Sequence, residues 1–218
     1  MIKLENVWYM YPNGIIALRN VTLEFSSPIM VIVGPNGSGK TTLLKVMALL
    51  YRPTKGKVMV NGMNYWRLDE KDKLIIRRSV VYVHEKPILL RRTVLENVAY
   101  GLLIRGTPKQ LALRKALEIL EEFDMKHIAH RRVRELSAGE AHIACIARAL
   151  LLKPKYLLLD EPTANLDLQR RQSLLKIIED YVRNGIHVAI ATNDHSLVNI
   201  AKQVVIVDRG RVLTKANN

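Results

Sequence analysis

Cysteine is almost absent from this chain of 218 residues: the single Cys145 excludes an internal disulfide. Its place in the apolar run Ile143, Ala144, Cys145, Ile146 reads as a small buried residue rather than a reactive thiol. Phenylalanine and tryptophan are scarce, with two of each. The basic clusters are not interleaved with aromatics, which argues against a stacking surface for single-stranded nucleic acid. No apolar run reaches the roughly 18 residues that span a bilayer, because Arg148, Lys153 and Lys155 interrupt the most apolar region. Met1 to Met10 lacks the basic start, apolar stretch and cleavage site of a secretory signal, so the expected location is the cytoplasm, with any membrane role left to partner subunits. Linkers, repeats and low-complexity segments are also missing, which predicts one compact unit over 1–218.

What is abundant is positive charge. Lysine and arginine outnumber the acids by 34 to 20, a net charge of +14. The excess gathers at Arg77 and Arg78, at Arg91 and Arg92, and from His130 to Arg134. Nucleic acid, anionic lipid headgroups and polyanionic ligands all suit such clusters, and so does a plain solvated face.

Short β-branched runs alternate with segments of helical period, the pattern of an α/β protein with a mainly parallel, buried sheet. Strands are predicted at Val21–Phe25, Met30–Val33, Lys57–Val60 and Val80–Val83, then at Tyr156–Leu159, His187–Ala191 and Val204–Val207. Helices are predicted over Lys40–Leu50 and Leu168–Val182. From Thr93 to Leu152 the strand signal vanishes and Val94, Val98 and Leu102, then Leu111, Leu113, Leu117 and Leu120, recur at helical spacing.

Two constellations carry chemistry. Gly34, Pro35, Asn36, Gly37, Ser38, Gly39, Lys40 and Thr41, followed by Thr42, fit the phosphate-loop pattern between a strand and a helix. The glycines let backbone N–H groups curl toward phosphate oxygens, the helix presents its positive end, Lys40 faces the β and γ phosphates, and the Thr41 hydroxyl is placed for magnesium. Far downstream, the apolar run Tyr156–Leu159 delivers Asp160 and Glu161 to the end of a buried strand. Asp160 can hold magnesium and Glu161 can polarise an attacking water; the same pair would also serve as surface acids capping a helix. His127 and His130, near Asp124 and Cys145, have poor spacing for zinc.

Between these motifs lies Leu136, Ser137, Ala138, Gly139, Glu140, and here the sequence resembles the ABC ATPase family over nearly its whole length. The resemblance implies a P-loop (RecA-like) core over 1–85 and 153–218, with an antiparallel β segment at the N-terminus and an inserted helical subdomain over about 86–152. It implies ATP and Mg2+ as cofactors. Tyr11 resembles the aromatic that stacks on adenine, although taken alone it is equally a core aromatic. Ala164 to Asp167 resembles the loop that couples two sites of a dimer, and Ser137 and Gly139 would contact the γ-phosphate held by the other subunit, with Ala138 and Glu140 in the same nucleotide-binding segment. A homodimer, or a heterodimer with a paralogous ATPase, follows from the resemblance.

Two positions depart from the family pattern. Glu85 stands where a glutamine usually contacts magnesium and the attacking water, and a carboxylate there can still be a ligand while adding negative charge beside a triphosphate. Asn193 stands where a histidine usually contacts the γ-phosphate; it can donate a hydrogen bond but carries no charge. His195 would share its side if the backbone stayed extended, against which stands a helix starting near Ser196. The substitutions predict slow or partner-dependent hydrolysis. Thr93, Val94, Glu96, Asn97, Val98 and Gly101 within 87–106 resemble importer ATPases, which implies transmembrane permease subunits contacted through Leu89, Leu90 and Arg92, an external solute-binding protein, and an inorganic oxyanion as substrate. The alternatives are a non-transport ATPase acting on nucleic acid or ribosomes, which the single uninterrupted copy argues against, and a nucleotide sensor with weak hydrolysis.

Overall fold

The computed structural model describes residues 1–214; positions 215–218 of the expected core lie outside the described residues. The chain divides into two compact units, one holding Met1–Tyr82, Lys155–Glu161 and the stretch from His187 onward, the other Val83–Pro154 and Pro162–Ile186.

The first unit contains two sheets. β1 (Ile2–Met10), β2 (Ile16–Phe25), β4 (Lys55–Val60) and β5 (Met63–Asn64) form an antiparallel sheet in the order β2-β1-β4-β5. β1 escapes sequence reading because its alternation changes phase: Ile2 and Leu4 are buried, Asn6 turns to φ 50, and Val7 is buried next. A turn at Asn61 and Gly62, both residues having positive φ, leads back into β5.

β3 (Ile29–Val33), β6 (Val80–Val83), β7 (Tyr156–Asp160), β8 (His187–Thr192), β9 (Gln203–Asp208) and β10 (Arg211–Thr214) form a six-stranded sheet in the order β10-β9-β3-β8-β7-β6. β3 runs parallel to β8 and β9, and β7 parallel to β8, while β10 closes the edge antiparallel. Every residue of β3 and of β7 is buried, which explains their uninterrupted apolar sequence. Each large side chain so buried contributes about 2 kcal/mol. α1 (Lys40–Met47) follows β3, and α2 (Glu70–Arg78) precedes β6. α2 gave no apolar signal because only Ile76 is buried; its start is fixed instead by Asp69, whose side chain accepts from Asp72 N–H.

In the second unit α3 (Val94–Ile104) packs on α4 (Lys109–Glu122) and on α5 (Ala138–Leu150), with α6 (Leu168–Arg183) completing the set. Reciprocal capping boxes, Thr93 with Glu96 and Ser137 with Glu140, start α3 and α5. Among the described residues of 93–152, β pairing is limited to a single bridge between Thr93 and Arg132.

Candidate functional site

The parallel register brings the carboxyl ends of three strands together in the first unit: Val33 lies beside Thr192, and Asp160 beside Ala191. The chain leaves β3 at Gly34, where an added Cβ would meet Val207 O at 2.1 Å, so no other residue fits. α1 then begins with no side-chain cap and no acid in its first turn, leaving its positive end open toward the loop. Ser38 is buried and its hydroxyl has no hydrogen-bond partner among the described residues. A buried polar group left so costs about 1–3 kcal/mol. A phosphate seated among these groups would satisfy it, so the residues present fit the ligand.

Lys40, 7% exposed, donates from Nζ to Gly34 O at 2.7 Å, Pro35 O at 3.1 Å and Asn193 Oδ1 at 2.6 Å. Burial lowers its pKa, and Glu161 and Asp160 oppose that shift. Asn193 ties three pieces together: its carbonyl accepts from Lys40, its amide donates to Asn36 Oδ1 at 2.6 Å, and its backbone N–H donates to Glu161 Oε1 at 2.9 Å. His195 begins a 3₁₀ helix, His195–Ile200, where a helix was expected from near Ser196, and it lines a cavity with Asn36 and Asn193.

Asp160, buried at the end of β7, accepts from the Thr41 hydroxyl at 3.1 Å and from the Tyr82 hydroxyl at 2.8 Å. A hydroxyl and a carboxylate side by side are hard oxygen donors suited to Mg2+. Glu161 sits in the left-handed region at φ 48, a strained conformation for a residue with a Cβ. Its carboxylate accepts from the Thr192 hydroxyl at 3.0 Å as well as from Asn193 N–H. Burial raises its pKa; the Thr192 and Asn193 hydrogen bonds and the Lys40 charge pull the other way. Tyr82 and Thr192 were not singled out from sequence, although Tyr82 lies within a predicted strand and Thr192 directly follows one.

Tyr11 stands in a cluster of three tyrosines. Its ring meets Tyr9 edge-on at 5.1 Å and Tyr51 edge-on at 6.2 Å, and its hydroxyl lies 2.9 Å from that of Thr42. The ring is thus held in place beside the first turn of α1 while staying partly accessible.

The remaining predicted residues belong to the second unit. Ser137 accepts from Glu140 N–H at 3.2 Å, and its N–H and hydroxyl both donate to the Glu140 carboxylate at 2.8 Å, which holds that carboxyl below its usual range. Ala138 opens α5. A Cβ on Gly139 would lie 2.9 Å from Asn165 O, so the start of α5 and the 164–167 segment touch closely. Asp167 caps α6 by accepting from Arg170 N–H, and the Arg170 guanidinium reaches both Asp167 and Glu140. Glu85 lies exposed in the turn after β6.

The profile of the ABC transporter family matches residues 18–164. A putative ABC transporter ATP-binding protein of Pyrococcus furiosus is 36% identical over 215 residues, 97% of this chain and 82% of that protein. The cell division ATP-binding protein FtsE of Bacillus subtilis is 32% identical over 216 residues, 98% of this chain and 95% of its own length. Among solved structures, the ATP-binding cassette MJ0796, a dimer in a post-hydrolysis state bound to ADP and Pi, superposes with a TM-score of 0.92 at 29% identity, covering 100% of this chain and 98% of that one.

Proposed function

The chain belongs to the ABC transporter family of ATP-binding proteins, and on that premise we propose that it binds Mg-ATP on the loop 34–41 and hydrolyses it slowly, ATP closing a dimer and hydrolysis reopening it. The observation that carries this reading is the convergence of Lys40, Asp160, Glu161 and Asn193 at adjoining strand ends. Lys40 exchanges its carbonyl partners for phosphate oxygens, and the Ser38 hydroxyl and the open end of α1 complete the cradle. Tyr11, steadied by Tyr9 and Thr42, presents a face for adenine. Thr41 and Asp160 would hold Mg2+, which would supply positive charge to offset that of the phosphoryl oxygens. Glu161 takes the proton of the attacking water. Its raised pKa suits a general base, and Thr192 with the Asn193 N–H fixes its orientation.

Turnover is slow because Asn193, which cannot carry positive charge, leaves the terminal phosphate one cation short. Steady-state hydrolysis by the purified chain tests this: Asn193→His is expected to raise the rate. A wild-type rate in the ordinary range for such ATPases, with no gain in the variant, would rule the slow reading out.

In the dimer, Ser137, Ala138, Gly139 and Glu140 of one copy complete the site of the other, with Asp167 linking the two; the partner is a second copy or a paralogous ATPase. Residues 1–85 and 153–218 act as the nucleotide core and 86–152 as the subdomain that meets membrane permease subunits through Leu89, Leu90 and Arg92, at the inner face of the membrane. No helix among the described residues is long and apolar enough to cross it. Import of an inorganic oxyanion delivered by a solute-binding protein is the transport reading that 87–106 supports best. The FtsE relative favours a second reading, a non-transport ATPase acting on a partner. Solute uptake in a strain deleted for this chain separates the two.

A further inference from the structure

The Ser137 hydroxyl carries one proton and has two claims on it. In the proposed dimer it meets the γ-phosphate of the other copy, yet within the chain it donates to Glu140 Oε2 at 2.8 Å. The Ser137 N–H donates to the same oxygen at 2.8 Å, and Ser137 Oγ accepts from Glu140 N–H at 3.2 Å, so the capping box closes on itself. It also sets a carboxylate in the first turn of α5, where that charge offsets the positive end of the helix and repels an incoming phosphate. The Glu140 side chain is only 18% exposed, so water screens the charge incompletely.

Arg170, in the first turn of α6, is placed to relieve both conflicts. Its Nη2 lies 3.9 Å from Glu140 Oε1, the oxygen outside the capping box, and its Nε lies 3.7 Å from Asp167 Oδ2. Asp167 also accepts from the Arg170 N–H at 2.8 Å, which anchors the residue at its backbone. A Cβ on Gly139 would come within 3.7 Å of Arg170 Nη1 and 3.2 Å of Leu166 Cδ2, so the guanidinium and the 164–167 segment lie against the same turn of α5. The Ser137 hydrogen bonds do most to hold the Glu140 carboxyl below its usual range, and Arg170 comes ahead of Arg131 among the charges that add to them. At 3.9 Å the Arg170 pair falls short of a hydrogen bond and has room to tighten. Building on the role proposed above for Ser137–Glu140 in the dimer, we propose that Arg170 is a positioning residue for ATP-driven dimer closure. It takes up the Glu140 carboxylate as phosphate arrives, which frees the Ser137 hydroxyl to donate to that phosphate and neutralises the acid in its way. Arg170 acts through Glu140 and makes no contact with nucleotide.

Sedimentation equilibrium of the full chain with ATP and Mg2+, in a Glu161→Gln parent that slows turnover, tests this. Arg170→Ala is expected to weaken the ATP-dependent dimer about tenfold, since two half-sites each lose a surface-scale charge interaction. ATP binding by the single chain, read by equilibrium dialysis at low chain concentration, is expected to stay unchanged. Glu140→Gln alone removes the carboxylate charge and is expected to leave the dimer as tight or tighter; combined with Arg170→Ala it restores the parent's dimer to within about twofold. Arg170→Gln removes the charge but keeps part of the stem, is expected to match the alanine variant, and serves where that variant does not fold. An undiminished dimer in the Arg170 variants would overturn the inference. So would a dimer weakened as much by Glu140→Gln as by Arg170→Ala, which would make the pair a structural strut. A parent that binds ATP without dimerising would break the dimer reading and this inference with it, whereas a parent that dimerises on ATP regardless of Arg170 would break this inference alone.

Discussion

The phosphate loop and the segment Ser137–Glu140 are held in place by opposite means. Lys40 reaches Asn193, Thr41 reaches Asp160, and Asp160 is shared with Tyr82, so the loop's geometry depends on strands brought together from across the sequence. Ser137 to Glu140 is wired by a capping box within four residues, and its contact with Asn165 is a neighbouring loop rather than a sheet. The loop is thus a product of the whole first unit, while Ser137–Glu140 is a helix start built from its own residues.

The comparison breaks first at chemistry. Glu161→Gln is expected to lower turnover by about 10²–10⁴-fold, the usual share of a general base, while ATP binding measured by equilibrium dialysis survives. Lys40→Ala removes charge-assisted bonds to phosphate and should weaken ATP binding by roughly 10–100-fold; unchanged affinity would place the nucleotide elsewhere. Ser137→Ala is expected to cost about 1 kcal/mol of stability through the lost cap, read by urea denaturation, and to leave ATP binding by the single chain intact. Tyr82→Phe, which leaves the Asp160 Oδ2 bond unmade, should cost about 1 kcal/mol as well, with Mg2+ affinity as the specific readout.

The smallest effect concerns pH. Glu161 has its pKa raised on folding from the ordinary 4.5, so between that value and the higher folded one the native chain holds more proton than the unfolded chain. Stability contributed by this site is then present below 4.5 and lost as pH rises through the folded value. Glu161→Gln is expected to raise the melting temperature at neutral pH, with the gain shrinking as pH falls toward 4.5; a gain independent of pH would point to packing instead.

The phosphate loop, the strand carrying Asp160 and Glu161, and the helical middle were legible because each has a local signature: a glycine pattern, an apolar run, a 3.6-residue period. β1 and α2 were not, since Asn6 shifts the phase of one and α2 buries almost nothing. Tyr82 and Thr192 were out of reach for another reason. Their roles arise from which strands lie side by side, and strand order is not written in any single segment. Asn193 was visible as a departure from a family pattern, but its bonds to Lys40, Asn36 and Glu161 belong to the fold.

Mixing two inactive chains tests the central claim that each site is completed by a second copy. Lys40→Ala and Ser137→Ala homodimers each damage both sites, whereas a mixed dimer keeps one site with Lys40 and a partner's Ser137 intact. Recovery of ATP turnover on mixing is the predicted result. Full turnover by Ser137→Ala alone, or no recovery from the mixture despite dimer formation, would contradict it.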